Sequence, residues 1–203
     1  MKIAMIGATG YVGKNLLIEA LRRGHEVTAI ARRASGLQPR AGLNPLSLDI
    51  THTESLVGAL VNHDVILVAL KCLGLNQLQL LDAIRRAAIA RTVLIGGAGS
   101  LQLPDGTDLV DSDQIPPQYR EEALAARDWL RLWRQQTDIN WTFVSPSALL
   151  IPGERTGQFR AGRDQLLFDN NGKSSISLED FACAVINELE SPQHLRQRFT
   201  VGY

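Results

Sequence analysis

The chain has 203 residues, 45% of them hydrophobic, with 21 Lys+Arg against 21 Asp+Glu and a formal net charge of zero. That length suits one domain with a full core, and the balanced charge excludes the basic surplus with which a protein grips nucleic acid through its phosphates. No apolar run approaches the ~20 residues that span a bilayer. The two cysteines, Cys72 and Cys183, stand far apart and fit neither a disulfide framework nor a zinc site. The expectation is a cytoplasmic protein with reduced thiols and no metal, and without a membrane or nucleic-acid partner.

In chain order, KIAMI (2–6) reads as a strand and YVGKNLLIEALRR (11–23) as a helix closed by Gly24. EVTAIA (26–31) is a second strand, residues 34–45 a loop, and PLSLDI (45–50) a third strand. A helix capped by Thr51 or Thr53 runs to about Leu60. DVILVAL (64–70) is the fourth strand and the most continuously apolar. Residues 76–90 are helical, with Leu78, Leu81, Ile84 and Ala88 assigned to one face, and TVLIGG (92–97) is the fifth strand. A helix over 117–136 carries Leu124, Trp129 and Trp133 at helical spacing. The two tryptophans belong to the core or to a contact between subunits, and a homodimer is one arrangement this allows. WTFVS (141–145) is the sixth strand, 146–177 is irregular, and a helix (178–190) and a short strand end the chain.

Apolar strands alternating with helices specify an α/β fold, a doubly wound parallel sheet in a single Rossmann domain over 1–203. Its irregular segment 146–177 supplies substrate-side loops at the carboxyl edge of the sheet.

The stretch GATGYVG sits between the first strand and the first helix, the context that dinucleotide binding requires. Gly7 allows the sharp exit from the strand, Gly10 the close approach of backbone to a pyrophosphate, and Gly13 the packing of helix on strand. Unpaired N–H groups and the helix dipole would seat the pyrophosphate over Thr9, Tyr11 and Val12. No Gly-Lys-Ser/Thr follows, so this is not a P-loop. The second strand ends in AIARRAS. Where an NAD-specific site carries an acid, this chain has Arg32 and Arg33, whose guanidinium groups suit a 2′-phosphate; NADP(H) is therefore preferred over NAD(H). The alternative for both arginines is ordinary solvated surface charge.

The G-x-x-G-x-x-G spacing resembles the extended and atypical short-chain dehydrogenase/reductase superfamily, whose fingerprint is often GATGxxG. Together with GGAGSL (96–101), WTFVSPSALLIPGERTGQFR (141–160) and SISLEDFACAVINELE (175–190), nearly the whole chain resembles the NmrA-like NAD(P)-binding group that includes NADH-flavin reductases. The resemblance implies an adenine pocket at Asp49 and Ile50, a ribose wall at Ala69, Leu70 and Lys71, and a nicotinamide site near Gly96, Gly97 and Ser100. Asp49 has an alternative as a helix cap.

Ordinary members of the superfamily use Tyr-x-x-x-Lys on the helix after the fifth strand. Here Asn15 stands four residues after Tyr11, and Ala123 four after Tyr119, so the pair is missing. A ketone reduction needs a proton donor beside the carbonyl oxygen. A flavin- or quinone-like acceptor can take its proton from water and needs mainly two flat rings held together. An NAD(P)H-dependent reductase of such a ring is expected, with Ser100 and Tyr119 as catalytic candidates. Ser145 and Ser147 are further candidates to hydrogen-bond the acceptor, with capping as their alternative. Glu154 and Arg155 either position substrate or form a turn and an ion pair. The alternative function is a non-catalytic NADP(H) sensor acting through a protein partner.

Overall fold

The structure, a computed structural model, describes residues 1–203. The strands are β1 (Lys2–Ile6), β2 (Glu26–Ala31), β3 (Leu43–Ser47), β4 (Val65–Val68), β5 (Arg91–Ile95), β6 (Asn140–Pro146), β7 (Leu149–Ile151), β8 (Arg160–Gly162), β9 (Ser175–Ser177) and β10 (Gln197–Gly202). The helices are α1 (Gly13–Arg22), α2 (Thr53–Leu60), α3 (Gln77–Ala87), α4 (Pro117–Arg134) and α5 (Leu178–Glu190). The main sheet runs β3-β2-β1-β4-β5-β6-β10-β8, parallel except for the last pair, while β7 and β9 form a small parallel sheet of their own.

The apolar strands alternate side chains between two covered faces, which is why they read as continuous hydrophobic runs. Ile3, Met5, Val65, Leu67 and Val93 join α1 and α5 in one core. Ala4, Ile6, Ile66, Val68 and Leu94 join α2, α3 and α4 in the other. Trp129 and Trp133 are buried in this second layer, edge to face at 5.7 Å, and so belong to the core.

Several boundaries depart from the sequence expectation for identifiable reasons. The first helix begins at Gly13, because residues 7–12 form the glycine turn. The fourth strand stops at Val68, and Ala69 and Leu70 leave the sheet to pack over Gly7. The third strand ends at Ser47, and Asp49 folds into a turn that accepts the Thr51 N–H and hydroxyl at 3.0 and 2.9 Å. Neither Thr51 nor Thr53 caps α2: its N-cap is His52, which makes no side-chain cap bond. In α3 the buried face is Leu80, Leu81, Ala83, Ile84 and Ala87, whereas Leu78 and Ala88 are exposed. Packing against α2 and α4 sets the phase of that helix, and an apolar residue on the outer face costs little.

The segment 146–177 is not wholly irregular, since it holds β7, β8 and β9. Its long loop is tied to the domain by a fully buried carboxylate. Asp180 accepts the Thr156 hydroxyl (2.5 Å), the Gly157 N–H (2.7 Å) and the Tyr203 hydroxyl (2.8 Å). Ser177 caps α5 at Asp180 N–H and donates its own hydroxyl to the Glu154 carbonyl (2.8 Å). These bonds join the GERTG and SISLEDFA segments. Hydrogen bonds to a buried charge contribute about 1.5–3 kcal/mol each when intact. Asp180→Ala should therefore lower unfolding stability by about 3 kcal/mol in urea denaturation; an unshifted midpoint would show that these bonds add nothing.

Candidate cofactor and acceptor cleft

Where β1 and β4 diverge, the winding direction reverses, and loops leaving their carboxyl ends open a crevice. The crevice is a cleft of about 1010 Å³. Its floor exists because two residues lack side chains. A Cβ on Gly7, whose φ is +87°, would overlap the Ala69 carbonyl, and a Cβ on Gly13 would overlap the Gly7 carbonyl. The N–H groups of Thr9, Tyr11, Val12 and Gly13 donate to no protein atom, while Gly10 N–H closes the turn onto Gly7 O at 3.0 Å. Free amides at a helix start, bared by glycine, form an anion seat that fits a diphosphate.

Of the sequence candidates, Gly7, Thr9, Gly10, Tyr11, Val12, Arg32, Arg33, Asp49, Ile50, Ala69, Leu70, Lys71, Gly97 and Tyr119 all line this one cleft. Arg32 and Arg33 are exposed and engage in no ion pair. Asp49 sits low in its titration range, held there first by the Thr51 N–H and hydroxyl and lastly by the nearby Arg32 guanidinium. Tyr11 reaches across the glycine turn, its hydroxyl donating to the Leu150 carbonyl at 3.4 Å.

Gly13, Ser100, Ser145 and Ser147 lie elsewhere. Gly13 is buried behind the turn as a packing residue, the role its spacing implies. Ser100 is buried and turned from the cleft: the Arg198 guanidinium donates to its hydroxyl (3.3 Å) and to its carbonyl (3.2 Å). Arg198 also meets the Ser145 hydroxyl (3.4 Å) and the Asp164 carboxylate (2.5 Å). Ser147 is equally occupied, donating to the Val201 carbonyl at 2.9 Å. These three serines hold strand ends together and are not free to bind an acceptor.

Arg155 resolves to the ion-pair alternative. It clasps Glu19 of α1 at 2.9 and 3.0 Å, alongside Arg22 and Arg23. Burial would push the Glu19 carboxyl up, but these guanidinium hydrogen bonds hold it far below the usual carboxylate range. The Glu154 carbonyl takes the Ser177 hydroxyl, so PGERTG is a structural clasp.

The structure also reveals residues that no motif marked. Glu122 of α4 lines the cleft and accepts the N–H groups of Cys72 (2.7 Å) and Leu73 (3.0 Å), one on each carboxylate oxygen. Only the fold brings α4 against the loop after β4, so sequence spacing carries no sign of the contact. Leu73, Leu75, Leu109, Ile115 and Leu149 line the same cleft. Cys72 faces the cleft but is buried, and burial, aided by the Glu122 charge, pushes its thiol up to about 12. No group of His, Cys, Asp or Glu side chains is placed to hold a metal ion, and no helix is long and apolar enough to cross a membrane.

Comparisons with known proteins agree on the family of the chain. Residues 7–192 match the model of the NAD(P)H-binding family. The uncharacterized protein YwnB of Bacillus subtilis is 36% identical over 99% of this chain and 98% of its own. A solved structure of a candidate epimerase from Bacteroides thetaiotaomicron superposes with a TM-score of 0.93 at 36% identity, over 100% of this chain and 96% of that one. A candidate NADH-flavin reductase from Streptococcus pneumoniae superposes with a TM-score of 0.85 at 31% identity, over 100% and 99%.

The raised Cys72 pKa has a direct consequence. At pH 8 its thiolate fraction is on the order of one in ten thousand, so the folded protein should resist iodoacetamide for an hour, read by intact mass. Prompt labelling at Cys72 would contradict the burial described.

Proposed function

The chain belongs to the NAD(P)H-binding family, and from that premise we propose that it is an oxidoreductase passing reducing equivalents from NADPH to a flat conjugated acceptor of the flavin or quinone kind. One observation carries this reading. A single cleft is lined by unpartnered amides and two unpaired arginines, by the loops at the switch point, and by the apolar side chains Leu73, Leu75, Ile115 and Leu149.

In this reading the amides of Thr9, Tyr11 and Val12 bind the diphosphate. Arg32 and Arg33 bind the 2′-phosphate, and the absence of an acid at the end of β2 supports NADPH over NADH. Asp49 and Ile50 receive the adenine, and Ala69, Leu70 and Lys71 border the ribose. When bound, the reduced nicotinamide supplies a hydride, and the reduced acceptor draws the matching proton from water. The chain's part is to hold the rings face to face and to exclude water with Leu73, Ile115 and Leu149. Tyr119 is the one hydroxyl of α4 on the cleft; it is 61% exposed and has no lysine partner, which suits contact with the acceptor ring better than proton transfer. The Streptococcus pneumoniae neighbour supports a flavin acceptor for this chain.

The test is NADPH oxidation with a panel of flavins and quinones. Turnover with at least one is the expected result, and tight NADPH binding with no turnover on any would favour a redox sensor working through a protein partner. The cofactor preference has its own check by calorimetry. Arg32→Ala should weaken NADPH about tenfold or more, equivalent to about 1.4 kcal/mol, and leave NADH within about twofold. Equal weakening of both would refute the 2′-phosphate role.

A further inference from the structure

Resting on the reductase reading, the charges of the cleft narrow the acceptor. The two halves are built differently. On the β2 and β3 side the cleft carries Arg32 and Arg33; on the β4 and β5 side its only charged side chains are Lys71 and Glu122. Lys71 lines the cleft between Leu70 and Cys72, is exposed, and makes no ion pair with Glu122. Glu122, half-buried on α4, lines the cleft with Tyr119, Ala123 and Ala126, the wall that this reading gives to the acceptor. Both its oxygens take backbone N–H groups, and no lysine or arginine pairs with it. Two amide dipoles order this carboxylate but do not cancel its charge.

The guanidinium groups near α4 are committed elsewhere. Arg127 pairs with Asp108 and Asp111, while Arg134 and Arg198 share Asp164. Arg120 is exposed and does not line the cleft. A phosphate monoester carries about −1.5 to −2 charges at neutral pH. On this wall it would find no guanidinium fork and would face a fixed negative charge. Like charges brought together without a counterion are a means of rejecting a ligand. The rest of the wall, with Leu73, Leu75, Ile115 and Leu149, rewards apolar surface.

We propose that the acceptor half of the cleft selects an uncharged conjugated ring over its phosphorylated form, with Glu122 as the residue that sets this preference.

Riboflavin and FMN carry the same isoalloxazine and differ by the phosphate alone, so they form a matched pair of probes. Binding is read by flavin fluorescence on protein saturated with NADP+, and turnover by NADPH oxidation. The wild-type chain should bind riboflavin at least tenfold more tightly than FMN, with kcat/KM following the same order. Glu122→Gln should shrink the ratio to about threefold or less. Mere loosening of the 72–73 loop would weaken both flavins alike and leave the ratio in place, so the ratio separates charge from structure. Equal binding, tighter FMN binding, or binding of neither flavin would overturn the proposal. A wild-type ratio that Glu122→Gln leaves unchanged would overturn the role of Glu122. Riboflavin preference in binding with no turnover upholds the ligand class and sinks the reductase reading instead.

Discussion

Backbone pressed against backbone at the switch point is the constraint on which this molecule is arranged. The Gly7 carbonyl lies where a Gly13 side chain would begin, and the Ala69 carbonyl where a Gly7 side chain would begin. Three chain segments thus meet at a separation that only glycine permits, with Gly7 at a positive φ that L side chains rarely adopt. This packing draws the start of α1 down onto the ends of β1 and β4 and leaves its amides facing the crevice. The anion seat, the opening of the cleft and the early end of β4 all follow from it.

The far end of the domain is held by charge. Glu19 gathers Arg22, Arg23 and Arg155, fastening the PGERTG loop to α1. Asp180 binds the same loop to α5 and to Tyr203. Arg198, its guanidinium driven down in basicity by burial and supported by Asp164, ties β10 to Ser100 and Ser145. A buried charge is stable only when it is paired and hydrogen-bonded. Each of these centres is therefore a rigid node, and together they fasten the PGERTG loop, α1, α5 and β10 to one another. The motifs that most resemble the NmrA-like group are largely these nodes, and they serve the architecture rather than the chemistry.

The cleft's chemistry is as telling in what it offers as in what it omits. The helix after the fifth strand is present as α4, and it places Tyr119, Glu122 and Ala123 on the cleft, with no lysine four residues after the tyrosine. The wall between them is apolar, with a thiol kept protonated. Such a surface contributes little acid–base power, which is in keeping with the acceptor proposed for it.

The sequence by itself determined the Rossmann class, the glycine turn and the arginines that follow β2, because each depends on residues adjacent in the chain: periodicity, the lack of a side chain, a charge at a strand end. Its strand and helix limits were off by a few residues wherever a neighbour had the casting vote, as at Val68, where Gly7 draws the chain out of the sheet, and at Leu78, which the packing of α3 turns outward. The fates of Ser100, Arg155 and Glu122 were decided only in three dimensions. Ser100 turns inward because Arg198, distant in sequence, arrives beside it on β10; Arg155 finds Glu19 across the molecule; Glu122 meets the amides of Cys72 and Leu73 because α4 lies over the loop after β4. Local order is written in neighbouring residues, whereas the pairing of buried charges is settled by which distant elements the fold brings within a hydrogen bond's reach.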